Sequence, residues 1–217
     1  MGLNHFLPLR SLVFLGSGDL FASSYEGGLY RVFADTLRVI PSVHRSSWAM
    51  KVDAYDRIWL AGKQGVFVFD KDTLRRFTTH PEALDVDFYR GYLAVAHRAG
   101  ITLFDTASGT PGNTRLRGIT CWSIDVYDSL LIGTGVEKCL IVNGSDERTI
   151  PIGPRHNIPW AAVADTTGVV YLATQKGLLR VLPGERHAEC IAFKGKCIKS
   201  ICFDRAGRLW VGRYFRE

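Results

Sequence analysis

The sequence contains no C-x-x-C pair, no block of like charge, and no apolar run approaching the roughly 20 residues that a membrane-spanning helix needs. Its most apolar start, Phe6 to Phe14, is interrupted by Pro8 and Arg10 and lacks the basic leader and long apolar centre of a secretion signal. On that reading the chain as given is cytoplasmic, or it is a piece cut from a longer secreted or membrane-anchored protein. The cysteines (Cys121, Cys139, Cys190, Cys197 and Cys202) are odd in number and lack zinc-ligand spacing. They read as reduced, mostly buried thiols, and no metal is expected. The phosphate-cradling G-x-x-x-x-G-K-[ST], the zinc helix H-E-x-x-H and the nucleophile elbow G-x-S-x-G are all missing. Lys194-Gly195-Lys196 reads as a turn between strands, and Asn143-Gly144-Ser145 as a hairpin turn although it fits the glycosylation pattern. With no catalytic constellation and no cofactor site, a non-enzymatic protein is expected.

What remains suits a soluble all-β domain. Of 217 residues, 47% are apolar and 22% charged, enough to bury a sizeable core. Pro is sparse at 8 while Gly reaches 22 and aromatics 12%, a mix that fits many short strands joined by tight turns. The net charge of +6 is scattered along the chain, so it describes a mildly basic surface rather than a nucleic-acid site.

One unit recurs: an apolar strand, an Asp, a turn, a second strand ending in a small residue, then Gly and a third strand. The small residue marks the register at Ser23, Ala61, Ala96, Gly133, Ala173 and Gly212, spaced 35 to 40 residues apart. Eight positions before it stand Asp53, Asp125, Asp165 and Asp204, with Leu15 and Phe88 in the other two units. Two before it stand Phe21, Trp59, Tyr171 and Trp210; four after it, Gly27, Gly65, Gly100 and Gly177, with Glu137 replacing Gly in the fourth unit. No stretch sustains a period of 3.6 residues. Four strand-like runs per 40-residue unit are the pattern of a β-propeller, in which small twisted sheets bury their faces against one another around an axis.

A single domain over residues 1–217 is expected, with repeats near 10–46, 47–81, 82–119, 120–157, 158–196 and 197–217, each a four-stranded antiparallel blade. The Asp carboxylate is expected to cap amides of the turn it enters, and the aromatic to pack between blades. The last repeat stops after two strands. Asn4 to Leu9 can add one more, so either one blade is incomplete or the ring is an open arc of a larger propeller.

The segment Ile198-Lys199-Ser200-Ile201-Cys202-Phe203-Asp204-Arg205-Ala206-Gly207-Arg208-Leu209-Trp210-Val211-Gly212 resembles the two-component regulator propeller repeat, as does Asp165 to Arg180. The third and fourth units depart from it, with Ala94 and Leu131 in place of the aromatic. The resemblance implies a sensing domain of a bacterial hybrid sensor kinase, periplasmic in such a parent protein, many of whose members respond to polysaccharide fragments. Its motif is structural and carries over no catalytic residue. Propeller lactonases and lyases share similar repeats, which leaves an enzyme as one alternative and a protein-interaction scaffold as another.

In propellers the loops entering the inner strands share a face with those joining the second and third strands. Mapped on this register, that face receives His44 and Arg45 before Trp48, Arg117 before Trp122, and Arg155 and His156 before Trp160. It also receives Tyr25, Lys63, His97 with Arg98, Lys176, and Arg213 with Tyr214. The ligand-binding candidates are Trp48, Trp122, Trp160, Lys63, Arg98, Arg155, His156, Lys176 and Arg213. Aromatic faces stack on sugar rings and Arg pairs with carboxylate or sulfate, so a small-molecule or acidic oligosaccharide ligand, or a protein partner, is expected. The other reading of the three tryptophans is a packed plug at the channel mouth.

Overall fold

A computed structural model describes residues 9–41, 46–78, 82–153 and 158–213. Every regular element among them is a strand. The chain divides into two compact units, Met1–Val86 and Asp87–Glu217.

Unit 1 holds two antiparallel meanders. Sheet 1 runs β1 (Leu9–Phe14), β2 (Leu20–Ser24), β3 (Gly28–Val32), β4 (Leu37–Val39), and sheet 2 runs β5 (Ala49–Val52), β6 (Ile58–Gly62), β7 (Gly65–Asp70), β8 (Thr73–Thr78). Phe21, Leu29, Met50, Ile58, Leu60, Phe67 and Phe69 bury the face between them. The alternation that a half-buried strand needs is lost in β6 and β7, which are apolar on both faces because both are covered.

Unit 2 repeats the meander. Sheet 3 comprises β9 (Ala83–Tyr89), β10 (Tyr92–His97), β11 (Gly100–Asp105) and β12 (Pro111–Arg115), all but the start of β9 lying in this unit. Sheet 4 comprises β13 (Cys121–Tyr127), β14 (Leu130–Gly135), β15 (Lys138–Asn143) and β16 (Asp146–Pro151). Sheet 5 comprises β17 (Pro159–Ala164), β18 (Val170–Thr174), β19 (Gly177–Val181) and β20 (Glu189–Ala192). Sheet 6 has two described strands, β21 (Ile198–Phe203) and β22 (Leu209–Arg213).

The core of unit 2 lies between sheets. Leu130, Ile132, Ile141 and Ile150 of sheet 4 meet Ala162, Ala164, Leu172 and Leu179 of sheet 5, and Ala173 and Leu178 meet Ile198 and Ile201 of sheet 6. Burying one such Leu or Ile stabilises by about 1.5–3 kcal/mol, so face-to-face stacking is what holds these small sheets. The small marker residue now has a reason: a β-carbon on Gly133 would run into the Ile101 side chain of sheet 3.

Six sheets of antiparallel strands, the last with two, form the β-propeller that the repeat implies. Leu9 belongs to β1, opposite Ser24, and residues 4–8, the rest of the closing strand expected from Asn4 to Leu9, lie outside the described residues. The thiols differ from expectation. Cys121 and Cys139 are buried, but Cys190 and Cys202 are exposed, because β20 and β21 belong to less covered parts of their sheets, and Cys197, just before β21, is half-exposed.

Candidate functional site

The repeating Asp builds one end of each sheet that has it. In sheet 2, one oxygen of Asp53 accepts from the Tyr55 and Arg57 amides at 2.9 and 3.0 Å; the other accepts from Arg57 Nε at 2.6 Å and Trp59 Nε1 at 2.9 Å. Asp204 repeats this with the Ala206 and Arg208 amides, Arg208 Nε and Trp210 Nε1. Asp165 takes the Thr167 and Val169 amides and the Tyr171 hydroxyl. Two columns of the repeat are thus one device: the aromatic donates to the Asp that caps its own turn. Asp125 is different, because β13 continues through it, opposite Ile132, to a two-residue turn at Asp128 and Ser129. That is a tight hairpin, which needs no longer cap.

The opposite end carries the candidate residues, and β-bulges shape it. A bulge places one unpaired residue in a strand and re-aims its side chain. In sheet 4 the register shifts between Cys121 and Ser123, leaving Trp122 unpaired. In sheet 5 it shifts between Pro159 and Ala161, leaving Trp160, and in sheet 6 between Ile198 and Ser200, leaving Lys199. These three residues meet. The Trp122 and Trp160 rings lie 6.1 Å apart, tilted by 52°, and Lys199 Nζ stands 3.1 Å from the centre of the Trp160 ring. Both indole N–H groups are buried without an acceptor among the described residues.

Unit 1 has a related group. Arg10 is the residue skipped between Leu9 and Ser11 in sheet 1, and its guanidinium lies 5.6 Å from the centre of the Tyr25 ring. Tyr25 stacks on Trp48 at 6.3 Å and 21°. Trp48 precedes β5 and ties to β6 through its amide on the Ala61 carbonyl at 2.8 Å.

Lys63, Arg98 and Lys176 occupy the turns expected of them. Lys63 lies in the β6–β7 turn, its carbonyl accepting from the Glu82 amide, and Arg98 in the β10–β11 turn, its carbonyl accepting from Thr120 Oγ1 at 3.2 Å. Lys176 lies in the β18–β19 turn, its carbonyl bonded to the Gly195 amide. Arg213 ends β22, 5.7 Å from the centre of the Phe193 ring. Arg155 and His156, with His44, Arg45 and Tyr214, lie outside the described residues. His97 is buried: Nδ1 accepts from the Ala99 amide at 3.1 Å, so Nε2 carries the proton toward Thr102 Oγ1 at 2.9 Å.

Lys199 and Arg10 were not among the sequence candidates, although a signal exists. Arg10, Trp48, Trp160 and Lys199 stand at one offset before the small-residue marker. Trp122 is nearer to it because its sheet turns through two residues instead of five. Lys and Arg are ordinary surface residues, so the shared offset stands out only once bulges are known to occupy it.

Meanders of this kind, capped by Asp turns at one end and bearing aromatic and basic bulge residues at the other, are those of a β-propeller. No family model and no curated protein matches the chain. Solved structures do. Over 97% of this chain it is similar to the extracellular domain of a protein assigned as hybrid two-component system BT4673 from B. thetaiotaomicron, with a TM-score of 0.80 and 18% identity. The corresponding domain of BT3049 from the same organism gives a TM-score of 0.81 at 17% identity over 98% of the chain. A streptogramin B lyase gives 0.71 at 13% identity, covering 94% of this chain and 75% of that one. The chain spans 31% and 34% of those two extracellular domains, about a third of their length. At these identities the likeness is one of fold, and the fold is the one implied by the resemblance of the repeat.

Proposed function

We propose that the bulge-bearing end of the sheets is a recognition surface, and that the chain serves as the ligand-binding part of a sensory propeller. The observation that carries this reading is the Trp122–Trp160 pair with Lys199 against it. Three neighbouring sheets spend their bulges on projecting two indoles and an ammonium into one place, a combination suited to stacking on a sugar ring and pairing with its acidic substituent. Side chains packed only as a plug ordinarily satisfy their donors, whereas these two indole N–H groups find no acceptor among the described residues. Arg98, Lys176 and Arg213 lie at the same ends of their sheets and add positive charge. An acidic or sulfated oligosaccharide fits this chemistry, and a protein partner presenting carboxylates is the other occupant. The solved sensor domains of similar fold support the sensory role and a periplasmic setting within a longer protein.

Titration calorimetry of the chain with heparin-derived and oligogalacturonate fragments, against neutral dextran fragments of equal length, tests this. Saturable binding of an acidic fragment that Trp122→Ala and Trp160→Ala together abolish is expected. Binding that survives the double substitution, or that is equal for neutral fragments, would rule it out. A lyase-like activity is the second reading, resting on the fold likeness to the streptogramin B lyase. Metal analysis of the purified protein separates the two.

A further inference from the structure

The three Asp turns are not equivalent. In sheets 2 and 6 a guanidinium four residues along neutralises the carboxylate, Arg57 on Asp53 at 2.6 Å and Arg208 on Asp204 at 2.7 Å. In sheet 5 Val169 stands at that position. Asp165 therefore keeps its turn without a counter-ion among the described residues. One oxygen accepts from the Thr167 amide, the Thr167 hydroxyl and the Val169 amide, and the other only from Tyr171 at 3.3 Å. A carboxylate has about four acceptor sites spread over its two oxygens, so this second oxygen retains capacity. Burial pushes Asp165 toward the neutral form, but the bonds from Thr167, Val169 and Tyr171 outweigh it and hold the acid below its ordinary value.

Asp165 lines a cavity of about 400 Å³, together with Tyr127, Tyr171, Phe203 and Arg205. That size suits a small molecule. Tyr171 and Phe203 meet edge to face at 5.6 Å and 76°, giving two aromatic walls, and the partly exposed Tyr127 also lines the cavity. Asp204 is taken by Arg208, and Arg205 is exposed and pairs with no described carboxylate. Asp165 is the one carboxylate of the lining without an ion-pair partner among the described residues. A second cavity of about 250 Å³ shares Tyr127, Thr166 and Thr167 and gives room for a ligand's tail.

We propose that this cavity binds a small organic ammonium ion, its charge on Asp165 and its alkyl groups against Tyr127, Tyr171 and Phe203. Aromatic faces attract cations, most strongly where water is partly excluded, and a half-buried carboxylate with no described counter-ion adds to the attraction. The site lies beside the β17–β18 turn, at the other end of sheet 5 from Trp160. The five paired residues of β18 separate the two by roughly 17 Å, so this is a second site and not part of the recognition surface.

Choline and tetramethylammonium are the probes, with 3,3-dimethylbutan-1-ol as the neutral isostere of choline, titrated into the full 217-residue chain and followed by NMR shifts. Saturable binding of choline, weaker by at least about tenfold for the isostere, is expected. Val169→Arg installs the guanidinium that sheets 2 and 6 already carry and should abolish binding while the chain stays folded. Should that variant unfold, Tyr127→Ala at its exposed position must weaken binding instead. Equal affinity for the isostere, undiminished binding in Val169→Arg, or no saturation with either ammonium up to about 10 mM overturns the proposal.

Discussion

Replacing Asp53 with Ala isolates what burial adds to an otherwise identical set of hydrogen bonds. Asp53 and Asp204 each accept two amides, one Arg Nε and one Trp Nε1, at distances that agree within 0.1 Å pair by pair. Their tryptophans differ: Trp59 is fully buried between covered faces, whereas Trp210 is 58% exposed. Without Asp53 the Trp59 indole N–H loses its 2.9 Å acceptor at a fully buried position, a cost of about 1–3 kcal/mol. The two turn amides also lose their cap, for about another 1 kcal/mol by analogy with helix caps. Urea unfolding followed by circular dichroism should therefore show a loss of about 2–4 kcal/mol for Asp53→Ala. Asp204→Ala should cost much less, since solvent replaces the acceptor at Trp210. In a Trp59→Phe background no donor remains to be orphaned, and the penalty of Asp53→Ala should shrink by about 1–2 kcal/mol. Equal losses at Asp53 and Asp204, or an unchanged penalty in that background, would refute the burial argument.

Acid should weaken the fold through the same turns. Asp204 is drawn down to about 2 by the Trp210 indole and the Arg208 amide, and Asp53 is lowered because its hydrogen bonds outweigh the opposing effect of burial. A folded-state value below the ordinary 3.8 means stability that is complete above that value and lost as pH falls through the folded one. Urea midpoints should be flat above about pH 5 and fall between about pH 4 and 2; the fall should lessen in an Asp53→Asn/Asp204→Asn double variant. Gly100 has a φ of +132°, and a β-carbon there would strike the Arg115 carbonyl oxygen and lie 3.0 Å from that of Leu116. Gly100→Ala should therefore cost about 2–4 kcal/mol in the same assay, and a neutral result would contradict the geometry. Cys190 and Cys202 should react with a thiol reagent in the folded protein, whereas Cys139, buried and pushed up to about 12, should react only after unfolding.

Sequence alone was enough for the parts of this protein that are local. Strand length, the Asp turn and the hairpins at Asn143-Gly144-Ser145-Asp146 follow from alternation and turn chemistry within a dozen residues, so six repeated sheets could be counted before any pairing was known. The Asp and aromatic columns were visible for the same reason, though not the hydrogen bond that joins them. Pairing between strands decided the rest. A bulge is one residue left out of a ladder, and nothing in the composition of Cys121-Trp122-Ser123 or Ile198-Lys199-Ser200 announces it. Only the register set by β14 and β22 turns Trp122 and Lys199 toward Trp160. Burial likewise belongs to the stacked sheets: Trp59 and Trp210 hold the same place in the repeat, but one has covered faces on both sides and the other does not. Asp165 lacks its arginine in the sequence, yet only the packing of sheets 4, 5 and 6 encloses the cavity that gives the missing charge a consequence.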